Sequence, residues 1–198
     1  MNVNVILFDR FETLDAFGPV EVFGRLKEIY IIECYSERGS IVTSTQNVKV
    51  ETRPFQEIQP GGIVLIPGGQ GTRKEVDNIK LIQAIQRISE SAEFVLAICT
   101  GSALLARTGL LKGRDATTNK LAFQWVADQD KDVHWRKKAR WVRDGKFYSS
   151  SGVSAGIDMA LGFISDMNGK EEAERVSREI EYIWNRDRKN DPFAGTDD

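Results

Sequence analysis

Cys99 is the residue of this 198-residue sequence whose type and setting lend themselves most directly to chemistry. It stands in Val95-Leu96-Ala97-Ile98-Cys99-Thr100-Gly101-Ser102-Ala103, where a strand-like apolar run gives way to a helix-like one. That order has the architecture of a nucleophile elbow, a sharp turn that lifts a reactive side chain over the end of a sheet. A helix N-terminus at that point presents free N–H groups and positive partial charge, so a lowered thiol pKa is expected. Gly101, lacking a Cβ, would relieve crowding beside the turn and let a substrate approach. A structural explanation competes, because free cysteine is among the most buried residue types and an inert thiol at a strand end fits the same pattern.

The usual proton acceptor for a thiol nucleophile is histidine. The sequence has one, His134, in the polar segment Asp132-Val133-His134-Trp135-Arg136, which reads as surface, so a Cys–His–Asp hydrolase is not expected. Asp15, in Thr13-Leu14-Asp15-Ala16-Phe17-Gly18-Pro19, precedes the first expected helix and could point back over the sheet toward Cys99, where ligands bind in open α/β sheets. Helix capping explains the same aspartate. Glu12 and Glu21 are competing carboxylates, and Glu21 suits a helix dipole whatever its function. The Gly68-Gly69 turn could offer N–H groups to a developing anion, or be a tight turn and nothing more. Cys34, in Ile31-Ile32-Glu33-Cys34-Tyr35, reads as a buried core thiol.

These side chains must be placed by an alternation of strands and helices. Residues 3–7 form a β-branched run suited to a strand buried on both faces, and Gly18-Pro19 places proline in the first turn of a helix through Val22, Phe23 and Leu26. A strand over 29–35 follows, then a small hairpin between 39 and 51, appended to the main sheet. Residues 63–66 form a strand closed by Pro67-Gly68-Gly69, and Ile79, Ile82, Ile85 and Ile88 mark an amphipathic helix. The strand over 94–98 runs into a helix over 102–107 that stops at Gly109. Beyond it come a short strand over 116–118, a helix over 121–127, and a hairpin of 141–143 with 147–148 across Asp144-Gly145. Ser154 caps a long helix ending at Gly169, and a last helix covers 171–183. The order implies an α/β domain, 1–186, with a mostly parallel sheet between helices, and a polar tail, 187–198, that frays.

Composition narrows the class. With 27 basic and 29 acidic residues, a formal charge of -2 and 41% hydrophobic residues, the chain resembles ordinary globular proteins, and nucleic acid is not expected as a partner. The cluster Arg136, Lys137, Lys138, Arg140 and Arg143 reads better as a solvated strand face than as a phosphate patch, because Trp135, Trp141 and Asp144 are interleaved with it. No leader or membrane-length apolar run is recognisable, and two distant cysteines suit neither a disulfide framework nor a zinc site, so a cytoplasmic protein with reduced thiols is expected. Trp125, Trp135, Trp141 and Trp184 are expected to pack the core or a dimer face rather than form a binding box.

Five ordered motifs carry a resemblance spanning nearly the whole chain: Leu14-Asp15 with Gly18-Pro19-x-Glu21-Val22-Phe23, Ile66-Pro67-Gly68-Gly69, Ala97-Ile98-Cys99-Thr100-Gly101-Ser102, Gly109-Leu110-Leu111-Lys112-Gly113-Arg114, and Ala116-Thr117-Thr118. They resemble the ThiJ/PfpI family within the class I glutamine amidotransferase-like superfamily. The resemblance implies a flavodoxin-like three-layer sandwich, a homodimer, an elbow cysteine and an acidic partner from the loop after the first strand. Carried over, Cys99 is the nucleophile, Asp15 its acid and Thr100 their neighbour, with Gly68, Gly69 and Gly101 facing substrate or oxyanion. Some branches carry histidine after the cysteine, where this chain has Thr100, and others read Ala-Thr-Thr-His, where this chain has Asn119. Aspartate at 15 with Thr100 is similar to the isocyanide hydratase branch, which implies conversion of a small-molecule isocyanide to an N-substituted formamide without metal or organic cofactor. AraC-type regulators share two of the motifs but append a helix-turn-helix domain, for which this chain leaves no expected room. A redox-sensing or ligand-binding protein, or an amidase- or deglycase-like enzyme, is the alternative.

Overall fold

The apolar runs near the start, before Pro67 and before Cys99 have the length and β-branched content of strands covered on both faces, and the computed structural model, which describes residues 1–195, places them at the centre of the sheet. In chain order the elements are β1 (Asn2–Ile6), α1 (Thr13–Gly24), β2 (Ile31–Ser36), β3 (Ile41–Thr43), β4 (Lys49–Glu51), β5 (Arg53–Pro54), β6 (Ile63–Ile66), α2 (Thr72–Glu75), α3 (Ile79–Ser91), β7 (Phe94–Ile98), α4 (Gly101–Arg107), β8 (Asp115–Ala116), α5 (Phe123–Ala127), β9 (His134–Trp135), β10 (Trp141–Asp144), β11 (Phe147–Ser150), α6 (Ala155–Asn168) and α7 (Lys170–Glu179). The main sheet runs β10-β11-β7-β6-β1-β2-β5, and only the β10–β11 pair is antiparallel.

From β1 the chain steps one way to β2, and from β6 the other way to β7. Right-handed crossovers in opposite directions place their helices on opposite faces. Accordingly α1, α6 and α7 pack together on one side and α2, α3, α4 and α5 on the other, giving the flavodoxin-like three-layer arrangement. The reversal falls between β1 and β6, so the segments leaving β1, β6 and β7 converge at one edge, where open α/β sheets bind ligands.

Several expectations are corrected. The helix holding Gly18-Pro19 begins six residues before the proline, at Thr13, so Pro19 lies inside α1 and Asp15 in its first turn. The glycine is needed for packing: a Cβ at Gly18 would stand 2.8 Å from Ile157 Cγ1 of α6, while Pro19 lies 3.4 Å from where a Gly156 Cβ would be. The hairpin β3–β4 forms a sheet of its own rather than joining the main one, and the strand that does join is β5, whose Pro54 suits an edge. The strand expected at 116–118 is confined to β8 and pairs with β9, a partner its two residues did not announce. On α3 the buried positions are Leu81, Ala84, Ile85 and Ser89, while Ile79 is exposed, because a period of three drifts off one helix face. Ser154 makes no capping bond and instead accepts from Arg140 Nη2 at 3.2 Å.

Fraying of the tail is also corrected. Residues 185–195 carry no helix or strand, yet Asp191 is 2% exposed and its Oδ1 accepts from Arg140 Nη1 at 3.4 Å. Arg140, read as part of a solvated face, is buried between Asp191 and Asp158, whose Oδ2 takes Nη2 at 2.8 Å and Nε at 2.9 Å. Residues 196–198 of the expected tail lie outside the described residues. No helix of the described residues is long and apolar enough to cross a membrane.

Candidate active site

The elbow expected from the Cys-Thr-Gly turn is present. Cys99 has a φ of 55°, the left-handed region that costs a non-glycine residue on the order of 1–3 kcal/mol and persists where surrounding bonds over-determine it. Those bonds are visible. Its N–H donates to Ser150 O at 3.2 Å, and its carbonyl accepts from Thr118 Oγ1 at 2.8 Å and Ser102 Oγ at 2.9 Å. Gly101 makes room for backbone, not for substrate: a Cβ there would overlap Ile66 O and stand 2.8 Å from Pro67 O, so the glycine lets α4 start hard against the end of β6.

Asp15 reaches the site from the first turn of α1 and is fully buried. Its Oδ2 accepts the Gly68 N–H at 3.0 Å, while Oδ1 is buried without a conventional hydrogen-bond partner. The carboxyl interacts with the Cys99 thiol. Burial, reinforced by Glu12 nearby, pushes Asp15 up to about 8 despite the Gly68 bond. Burial and the Asp15 charge likewise push the Cys99 thiol up, against the pull of the Thr100 N–H and the Asn119 side chain. The lowered thiol pKa expected from the helix N-terminus is therefore corrected. At 5% exposure desolvation outweighs the helix end. Burial disfavours both groups being negative at once, and because the thiol is pushed further up than Asp15, the singly protonated pair rests as carboxylate beside thiol, one proton shift away from thiolate beside carboxylic acid.

The Gly-Gly turn holds the site together with bonds it was expected to offer to a ligand. Gly69 N–H donates to Thr100 Oγ1 at 3.0 Å, and that hydroxyl also meets Thr72 Oγ1 at 3.0 Å. Both turn N–H groups are therefore engaged, Gly68 on Asp15 and Gly69 on Thr100, which leaves the Thr100 backbone N–H as the backbone donor to the sulfur. Gly69 itself has a φ of 122°, which glycine alone adopts readily.

Residues that the sequence reading did not assign complete the site. Asn119, noted only as the absence of a histidine, interacts with the Cys99 sulfur through its side chain; its Oδ1 accepts the Ala122 N–H at 3.0 Å, which leaves Nδ2 to donate to sulfur. A pocket of about 220 Å³ opens beside Cys99 and is lined by Glu12, Gln70, Arg73, Asn119 and Val153 among others. The Arg73 guanidinium, close enough to interact electrostatically with Cys99, stacks 3.4 Å from the centre of the Trp125 ring. Of the other candidates, Glu21 pairs with Arg25 on the surface, Cys34 is half-buried in β2, and His134 is exposed on β9, 3.6 Å from Asp115, and does not line the pocket. Trp141 is buried, Trp135 and Trp184 pack against the core, and Trp125 carries Arg73.

The model of the DJ-1/PfpI family matches residues 1–166. This chain belongs to the DJ-1/PfpI family. It is 28% identical over 182 residues to isonitrile hydratase of Pseudomonas putida, covering 92% of this chain and 78% of that one. It is 25% identical over 189 residues to the HTH-type transcriptional regulator GbdR of Pseudomonas aeruginosa, where it spans 91% of its own length and half of the regulator's. Among solved structures, a ThiJ/PfpI family protein from Pseudomonas syringae superposes with a TM-score of 0.82 at 23% identity, over 97% of this chain and 77% of that one. The family thus includes an enzyme and transcription regulators.

Proposed function

We propose that the protein is a cysteine-dependent hydratase acting on small isocyanides, with Cys99 as nucleophile and Asp15 as proton carrier. The observation that carries this reading is the buried Cys99–Asp15 pair at the end of β7, two acids in contact, with the similarity to isonitrile hydratase as support. Asp15 takes the thiol proton as the Cys99 sulfur attacks the terminal carbon of R–N≡C and delivers it to that carbon, giving the thioimidate R–N=CH–S–Cys99. Asp15, now a carboxylate, takes a proton from water as the hydroxide adds to that carbon. Asp15 passes that proton to the nitrogen and takes the hydroxyl proton as the C–S bond breaks, the departing thiolate regains it from Asp15, and R–NH–CHO leaves. Thr100 N–H and Asn119 Nδ2 stabilise the sulfur whenever it is anionic. The chemistry calls on no metal or organic cofactor. A homodimer in the reducing cytoplasm is the proposed setting.

The test offers purified protein a panel of isocyanides and of α-dicarbonyls, with formamide or hydroxy-acid formation followed by mass spectrometry. Formamide release is expected, abolished in Cys99→Ala and reduced about 10²–10⁴-fold in Asp15→Asn. Turnover of α-dicarbonyls alone would move the chain to the deglycase-like chemistry. A second reading, small-ligand binding without turnover, draws on the similarity to GbdR across 91% of the chain. It predicts saturable ligand binding that survives Cys99→Ala.

A further inference from the structure

The pocket beside Cys99 has one lining cation without a carboxylate partner. Arg73 makes no ion pair among the described residues, and its guanidinium carbon stands over the Trp125 ring, 3.4 Å from the ring centre. The one carboxylate lining the pocket, Glu12, is held by Gln46 Nε2, which donates to its Oε1 at 2.6 Å. A guanidinium stacked on an indole is fixed in plane and keeps its N–H edges available, the arrangement suited to bidentate carboxylate recognition. The pocket's volume of about 220 Å³ falls below the roughly 300–1,000 Å³ of sites for drug-sized ligands, so the occupant is small.

We propose that Arg73, held over Trp125, makes this pocket selective for small electrophiles bearing a carboxylate, which it binds while the reactive carbon meets Cys99. The selectivity rests on the proposal that Cys99 is the reacting group, and it names the substrate class within that reading. Arg73 is here a specificity-determining residue; the bond-making belongs to Cys99 and Asp15.

A matched pair of alkylating agents tests this without any turnover. Iodoacetate and iodoacetamide react alike: the Cys99 sulfur forms the S–C bond, iodide leaves with the C–I electrons, and the thiol proton passes to Asp15 or solvent. They differ in the carboxylate. In a Cys34→Ala background, so that Cys99 is the reporting thiol, the rates are followed by intact mass. The expected result is faster alkylation by iodoacetate than by iodoacetamide, with the ratio of the two rates falling at least tenfold in Arg73→Gln and largely restored in Arg73→Lys. Using the ratio cancels any effect of the substitution on thiol reactivity itself. Slower reaction with iodoacetate in the unaltered pocket, an unchanged ratio in Arg73→Gln, or failure of both reagents to reach Cys99 would overturn the proposal. A second arm compares isocyanoacetate with its methyl ester; KM for the acid is expected to rise at least tenfold in Arg73→Gln with kcat preserved. Absence of isocyanide turnover sinks the hydratase reading alone, since the alkylation ratio is read independently of it.

Discussion

At the scale of single residues, the site turns on which of two acids holds a proton. Raising Asp15 to about 8 means that its folded pKa lies above the unfolded value of 3.8, so the folded state holds the proton more tightly. The sign follows directly: the protonated acid is accommodated at low pH, and stability is lost as pH rises from about 4 through about 8 and the buried carboxylate ionises. Asp15→Asn removes that ionisation while keeping an oxygen for Gly68 N–H, so it is expected to stabilise the fold by on the order of 1–3 kcal/mol at pH 8 and by little at pH 4. Denaturant titrations at the two pH values check this; equal stability at both would show that the carboxyl is solvated. The same pair predicts that kcat/KM rises with pH toward a limb near 8, as Asp15 ionises and becomes able to take the thiol proton when the sulfur attacks.

At the scale of elements, α1 delivers Asp15 and must be seated to do so. Its seat is the contact of Gly18 with Ile157 on α6, a helix–helix approach that a methyl group obstructs. Gly18→Ala is expected to cost about 1–3 kcal/mol by overpacking, seen as a lower urea midpoint, and to lower activity by moving the acid relative to sulfur. The Gly-Pro motif is legible in the sequence, but its meaning is not. A proline usually opens a helix, whereas here the reason for the pair is a neighbour about 140 residues away in the chain. Gly152 acts likewise on the other side of the site, since a Cβ there would overlap Asn119 Nδ2, the donor to the sulfur. Gly152→Ala is expected to depress kcat more than it depresses stability, as judged by steady-state kinetics beside thermal melting.

At the scale of the whole molecule, the closing segment is held by charge rather than by regular structure. Arg140 binds Asp158 and Asp191, and Asp158 Oδ1 also accepts the Asn185 N–H at 2.9 Å. All three charged groups are buried, so removing one leaves its partners desolvated. Asp158→Ala is expected to lower stability by about 3–5 kcal/mol and to release residues 185–195 to limited proteolysis. A loss under 1 kcal/mol with no new cleavage would show that the cluster is solvated. A polar composition made this segment look like a fraying tail, because composition reports polarity and not the buried contacts that tie it down.

What the sequence by itself determined is the part written in local pattern and chain order. Apolar runs of four or five residues, punctuated by Pro67-Gly68-Gly69 and Cys99-Thr100-Gly101, specify parallel strands whose carboxyl ends gather at the topological switch, and that gathering brings Asp15, the glycine turn and Cys99 together. Only the tertiary structure decided what those residues experience: the direction of the thiol pKa, the capture of both turn N–H groups, Asn119 on the sulfur, and Arg73 stacked on Trp125. The physical reason is that desolvation and side-chain contact are sums over neighbours distant in the chain, and no local window of sequence contains them.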